Sequence, residues 1–66
     1  MVQYAVALKE GEWTLFRNGE VLVRGLSRSR AVERAEVLAA DAREAGQEVE
    51  LLVQDYIGAL KRRRGL

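Results

Sequence analysis

The chain has no cysteine and no histidine. Without cysteine there is no disulfide framework and no thiolate site. Without either residue, conventional zinc sites are excluded. Hydroxyl nucleophiles are limited to Thr14, Ser27, Ser29 and two tyrosines, none with a histidine base. A paired-carboxylate mechanism needs a walled cleft, which a chain of 66 residues can hardly build. The reading is therefore not an enzyme, with no catalytic residue, metal, cofactor or small-molecule substrate inferred. No apolar stretch approaches the roughly 20 residues that span a bilayer. No basic segment precedes a long apolar run as in a secretory leader. A cytoplasmic protein without a membrane partner is expected. Charge of either sign is not in excess: eleven basic and ten acidic residues leave a net charge of +1, unlike a dedicated nucleic-acid binder. Asparagine and methionine are scarce, while Ala, Arg, Leu, Val, Glu and Gly abound; this balance suits a bacterial, thermophile-like source.

What is present is a helix with strands on both sides. From Ser27 to Gly46, Ala31, Val32, Ala35, Leu38, Ala39, Ala42, Ala45 and Gly46 fall on one helical stripe, with Glu33, Arg34, Asp41 and Glu44 opposite. No proline interrupts the run. Ser27 or Ser29 can cap its start, Leu26 can staple against Ala31, and Gly46 is a natural stop. A stripe made mostly of alanine implies close packing on a sheet. Val37 and Ala40 interrupt the polar face, as scattered surface apolars do, unless they mark an oligomer contact.

The first strand is expected over Val2–Lys9, the second over Glu12–Arg17 and the third over Glu20–Arg24. Glu10-Gly11 and Asn18-Gly19 supply the turns between them. If both loops have two residues, Arg17 faces Glu20, Leu15 faces Leu22, Leu8 faces Trp13 and Val6 faces Leu15. One sheet face then carries Tyr4, Val6, Leu8, Trp13, Leu15 and Leu22 and should meet the helix. The other carries Ala5, Ala7, Thr14, Phe16, Val21 and Val23. After the helix, Gln47 begins a fourth strand in which Val49, Leu51 and Val53 alternate with Glu50, Leu52 and Gln54. Asp55-Tyr56-Ile57-Gly58 can turn the chain, and Ala59 to Arg63 is either a short fifth strand or a helical end. The expected fold is α+β: a three-stranded antiparallel meander, one long helix packed on the sheet, then one or two further strands (β-β-β-α-β-β). A crossover helix usually returns the next strand parallel to an earlier one, so the sheet should be mixed. Residues 1–66 read as a single compact domain with a basic C-terminal tail from about Lys61. A domain this small buries only about 60% of its unfolded surface, so its stability should be marginal unless it associates.

Trp13-Thr14-Leu15 after a glycine turn resembles the W-x-V strand of a small bacterial family, domain of unknown function 2188. Ser27-Arg28-Ser29-Arg30-Ala31-Val32-Glu33-Arg34-Ala35 resembles that family's T-K-x-E-A-I-x-x-A helix start, with Arg30 where the pattern has Glu. Val49 to Leu60, with Gly58 in the turn, resembles its closing strand, turn and strand. The resemblance spans nearly the whole chain and implies the fold and a fifth strand, but no activity. Antitoxins of the HicB type are similar over a shorter stretch, a strand–strand–helix beginning with a tryptophan in the second strand. Their proline-containing turn has no counterpart here.

Two features are suited to binding. An antiparallel sheet with one wet face should alternate cleanly between apolar and polar residues. The second face does not, so Thr14, Phe16, Val21 and Val23 are the candidate self-association residues, with a homodimer the favoured assembly. The second feature is basic. Arg24, Ser27, Arg28, Ser29, Arg30 and Arg34 surround the helix start, where free N–H groups suit an anion. Lys61, Arg62, Arg63 and Arg64 could attract nucleic acid. Pairing with Glu20 or Glu33 and solvation of the tail account for the same residues in a purely structural way. Asp41, Glu44, Glu48 and Glu50 should gather near the other end of the helix, and that polarity would favour a phosphate backbone despite the low net charge. The leading expectation is a non-catalytic, self-associating interaction module; the alternative is a weak nucleic-acid-binding protein, antitoxin-like in character.

Overall fold

The structure is a computed structural model, and its description covers residues 1–55 and 58–62. Its local construction begins at two tight turns. Glu10 and Gly11 have φ of 52° and 80°, and Asn18 and Gly19 have φ of 49° and 84°. Positive φ at both central residues is the type I′ hairpin, whose twist matches that of the flanking strands. The turns join β1 (Val2–Lys9), β2 (Glu12–Arg17) and β3 (Glu20–Leu26). Asn18 also ties its turn to β1: its amide donates to the Gln3 carbonyl at 2.7 Å, and its Oδ1 accepts from the Gln3 amide at 2.9 Å.

The helix α1 spans Arg28–Glu44. Of the two candidate caps, Ser27 serves: its Oγ accepts from the Arg30 amide at 3.2 Å. At the other end Gly46 adopts φ of 83°. The Gly46 amide donates to the Arg43 carbonyl and the Gln47 amide to the Ala42 carbonyl, the paired bonds of a Schellman ending. The chain then forms β4 (Val49–Gln54) and β5 (Leu60–Arg62). The segment after Gly58 is thus a strand, not a helical end, and Lys61 and Arg62 belong to it instead of to a tail. Tyr56, Ile57, Arg63 and Arg64 lie outside the described residues.

The five strands form one mixed sheet in the order β3-β2-β1-β4-β5. Only the first three strands make an antiparallel meander; β4 runs parallel to β1, and β5 antiparallel to β4. The helix lies across β1, β4 and β2. Beneath it Val2, Tyr4, Val6, Leu15, Leu51 and Val53 are buried against Ala31, Val32, Ala35 and Ala39, with Ala42 also buried. Alanine on the helix lets its backbone approach the sheet, and the volume of the core comes from the strands. Leu26, just before the cap, packs against the same cluster.

Two residues expected beneath the helix are not there. Leu8 is 48% exposed and Leu22 is 47% exposed. The cause at Leu22 is a shift in β3. Arg17 pairs with Glu20 and Phe16 with Val21, as the turn requires, but Leu15 pairs with Val23. Leu22 is an extra residue, a β-bulge, and it moves the next side chains, Val23 and Arg24, to the faces opposite those expected. A second shift separates Thr14–Arg24 from Trp13–Leu26 and leaves Gly25 as the extra residue. Its φ of 77° is one that a glycine in a bulge adopts without strain.

Candidate interaction surface

Residues paired across a sheet share a face. The register therefore sets Val21, Phe16, Ala5, Leu52 and Arg62 in one row across all five strands, opposite the helix. The next row runs Arg24, Thr14 and Ala7, with Gln54 and Leu60 paired on the far side. Ala5, Ala7, Phe16 and Leu52 are partly exposed, while Val21 and Leu60 are 40% and 52% exposed. No described element covers them.

Thr14 differs from its neighbours on this face, being only 1% exposed. Its hydroxyl donates to the Glu12 carbonyl at 3.2 Å. The Lys9 ammonium lies 5.9 Å from the centre of the Phe16 ring. Lys9 pairs with Glu12, so this contact spans the Thr14 position and closes over it. Of the four residues expected to mediate self-association, Phe16 and Val21 line the open face. Thr14 lies on it but beneath that contact, and Val23 is not on it at all. Val23 packs against the core under the helix, because the bulge at Leu22 reverses its direction.

The rim of the face is polar and mutually engaged. Gln3 Nε2 donates to Glu50 Oε1 at 2.8 Å, and Arg62 Nη2 donates to Glu50 Oε2. The Gln3 bond foremost, then the Arg62 bond, holds the Glu50 carboxyl below its ordinary value of 4.5. Gln54 Oε1 accepts from the Leu8 amide at 2.7 Å, so its side chain continues the β1–β4 ladder. Asp55 organises the β4–β5 turn: its Oδ1 accepts from the Ala59 amide at 2.9 Å, and its Oδ2 lies 3.3 Å from Lys61 Nζ.

The described basic residues do not form one patch: Arg30 and Arg34 line one surface cavity, and Arg28, Lys61 and Arg62 line another. Arg28 stacks over Trp13 with its guanidinium carbon 5.7 Å from the ring centre, and its Nη2 donates to the Gln54 carbonyl at 3.4 Å. Ser27 is committed to the cap, and its Oγ lies 3.4 Å from that of Ser29. Lys61 pairs with Val53 and Arg62 with Leu52, so the two leave the strand on opposite faces, yet both line a surface cavity of about 290 Å³ with Arg28, Val53 and Asp55. Arg24, Arg30 and Arg34 are exposed, and the last two share a surface cavity of about 320 Å³ with Leu26 and Glu33. Asp41, Glu44 and Glu48 are exposed around the end of the helix, but Glu50 is drawn away to the open face by Gln3 and Arg62. Among the described residues no group of three or more His, Cys, Asp or Glu could hold a metal ion, and no helix is long and apolar enough to cross a membrane.

Sequence reasoning missed Leu52 and Leu60 as members of the open face. The signal for Leu52 was its place between Glu50 and Gln54 in an alternating strand; the missing information was that β4 lies beside β1. Comparison with protein-family models, curated proteins and solved structures returned no match. The likeness to the two families named above therefore rests on the quoted residues alone.

Proposed function

We propose that this protein is a non-catalytic interaction module that associates with a second copy of itself through the open sheet face. One observation carries the reading: among the described residues a single helix covers one side of a five-stranded sheet, and no described element covers Phe16, Val21, Leu52 and Leu60 on the other. A chain of this length has little core to spare, and burying such a face adds to it at roughly 25 cal/mol per Å² of apolar surface. A cytoplasmic setting in a bacterium belongs to the same reading, as does kinship with domain of unknown function 2188. The test is sedimentation of the wild type and of Phe16→Asp over roughly 5–500 µM. The expected result is a concentration-dependent dimer that the substitution disperses, with the folded circular-dichroism spectrum retained. A wild-type protein that stays monomeric throughout sinks the proposal.

The alternative is a phosphate-backbone binder working through Arg24, Arg30 and Arg34. The cavity shared by Arg30 and Arg34 favours it. Against it, Arg28, Lys61 and Arg62 already contact groups of the same chain. Anisotropy of short RNA and DNA decides: a backbone binder loses affinity steeply with salt, and absence of salt-sensitive binding rules it out.

A further inference from the structure

The chain contains a single asparagine, Asn18, and glycine follows it. That dipeptide carries a chemistry of its own. The Gly19 amide nitrogen attacks Cγ of the Asn18 side chain. An N–Cγ bond forms, the bond from Cγ to the carboxamide nitrogen breaks, and ammonia leaves with the proton that Gly19 gave up. Water then opens the succinimide. Cleavage at Cγ yields an ordinary aspartate; cleavage at the main-chain carbonyl yields an isoaspartate, with one extra atom in the backbone. Asn18 and Gly19 are both exposed, and a Cβ on Gly19 would meet open space. Neither access of water nor crowding limits the reaction.

The backbone limits it. The closing ring holds Asn18 Cα, Cβ, Cγ and carbonyl carbon together with Gly19 N. To lie near one plane it needs Cβ and that nitrogen almost eclipsed about the Cα–C bond, which for an L-residue means ψ of about −120°. The φ values of 49° at Asn18 and 84° at Gly19 belong to a type I′ turn, in which the first central residue has ψ of about +30°. The nitrogen therefore stands roughly 150° from where closure requires it. Two bonds hold it there. The Asn18 amide donates to the Gln3 carbonyl at 2.7 Å, and Asn18 Oδ1 accepts from the Gln3 amide at 2.9 Å. Gln3 is itself fixed, paired with Glu50 on β4 and bonded to its side chain. The first hairpin shows that such a turn does not need asparagine, since Glu10 holds φ of 52° before Gly11. What asparagine adds is the side-chain bond to Gln3 and a carboxamide that can be lost.

We infer that Asn18 is a site of spontaneous deamidation that the native β2–β3 turn holds shut, so that the modification marks chains in which this hairpin has opened. The inference is independent of self-association. The rate in the folded protein is the open-chain rate multiplied by the fraction of time the hairpin is open. The mark is lasting. Isoaspartate lengthens a two-residue loop, and loop length sets the register of the strands it joins.

The test uses the full chain at mildly alkaline pH, in buffer and in guanidinium chloride, with conversion of amide to acid followed by intact mass. A peptide spanning Thr14–Val23, run with and without the denaturant, corrects for any effect of denaturant on the chemistry. The unfolded chain should convert at the rate of the peptide, and the folded chain about tenfold more slowly or slower still. Asn18→Gln, whose longer side chain would have to close a larger ring, should gain no acid in denaturant over the same time. Folded and unfolded rates within about tenfold of each other overturn the gate. An unfolded chain that does not convert, or an Asn18→Gln chain that converts equally, overturns the site.

Discussion

The two faces of the sheet are made from the same strands and meet different fates. Under the helix, Leu15 and Val6 have no exposed surface, and alanine on α1 allows the helix to settle close to them. On the other side, Phe16 of β2 and Leu52 of β4 remain partly exposed. Composition does not separate them, since both faces are mostly apolar. Geometry does: a helix of 17 residues crosses the sheet once and can shield only one side. The covered face holds the fold together, and the other has no described element over it.

That contrast can be broken by substitution. The largest effect belongs to Leu15→Ala, which removes a fully buried side chain and should cost about 2–5 kcal/mol in urea unfolding. A domain this small is expected to have a total stability near the low end of about 5–15 kcal/mol, and against that this loss approaches complete unfolding. Leu52→Ala, assayed at a concentration where the protein is monomeric, should cost well under half as much. Equal losses at the two positions would show that the open face is as tightly packed as the core. A middle-sized effect is expected where the helix is fastened. Gly46→Ala forces a side chain into the left-handed region at φ of 83° and should lower stability by about 1–2 kcal/mol. Ser27→Ala, which removes the acceptor for the Arg30 amide, should cost about 1 kcal/mol.

The smallest effect sharpens the comparison from the open side. Glu50 has a folded-state pKa depressed below its ordinary value, first through Gln3 and then through Arg62. A depressed carboxylate contributes stability above its unfolded pKa and loses it as pH falls through the lower folded value. Wild type should therefore exceed Glu50→Gln near neutral pH; the gap should begin to narrow as the pH falls below about 4.5 and close only below the lower folded value. A gap that stays constant down to acid conditions would show that the Glu50 contacts do not depend on its charge.

Most of the fold was legible because each element repeats a simple rule. The alanine stripe gave the helix to within two residues at either end, and Glu10-Gly11 and Asn18-Gly19 gave the pairing of Leu8 with Trp13 and Arg17 with Glu20. Reading failed in β3, where Val21, Leu22 and Val23 are all apolar and alternation cannot say which one points inward. Gly25 was the available hint of irregularity in that strand, but nothing marked Leu22. The last strand was undecided for a related reason: a run of basic residues has no apolar period to read. The open face was visible as an excess of apolar residues on β1 and β2. Its far half, Leu52 and Leu60, depended on the strand order 2-1-4-5, which only tertiary structure supplies.

The two bulges in β3 have a consequence for growth. An unpaired strand at the border of a sheet invites addition of further strands, and an apolar protein with such a border tends toward fibres. Here one border is twice interrupted, at Leu22 and Gly25. The opposite border is only three residues long and carries Lys61 and Arg62. Neither offers a straight template. With sticky breadth but blunted borders, the proposed face-to-face association would be closed and countable, where a regular β3 would leave it open-ended.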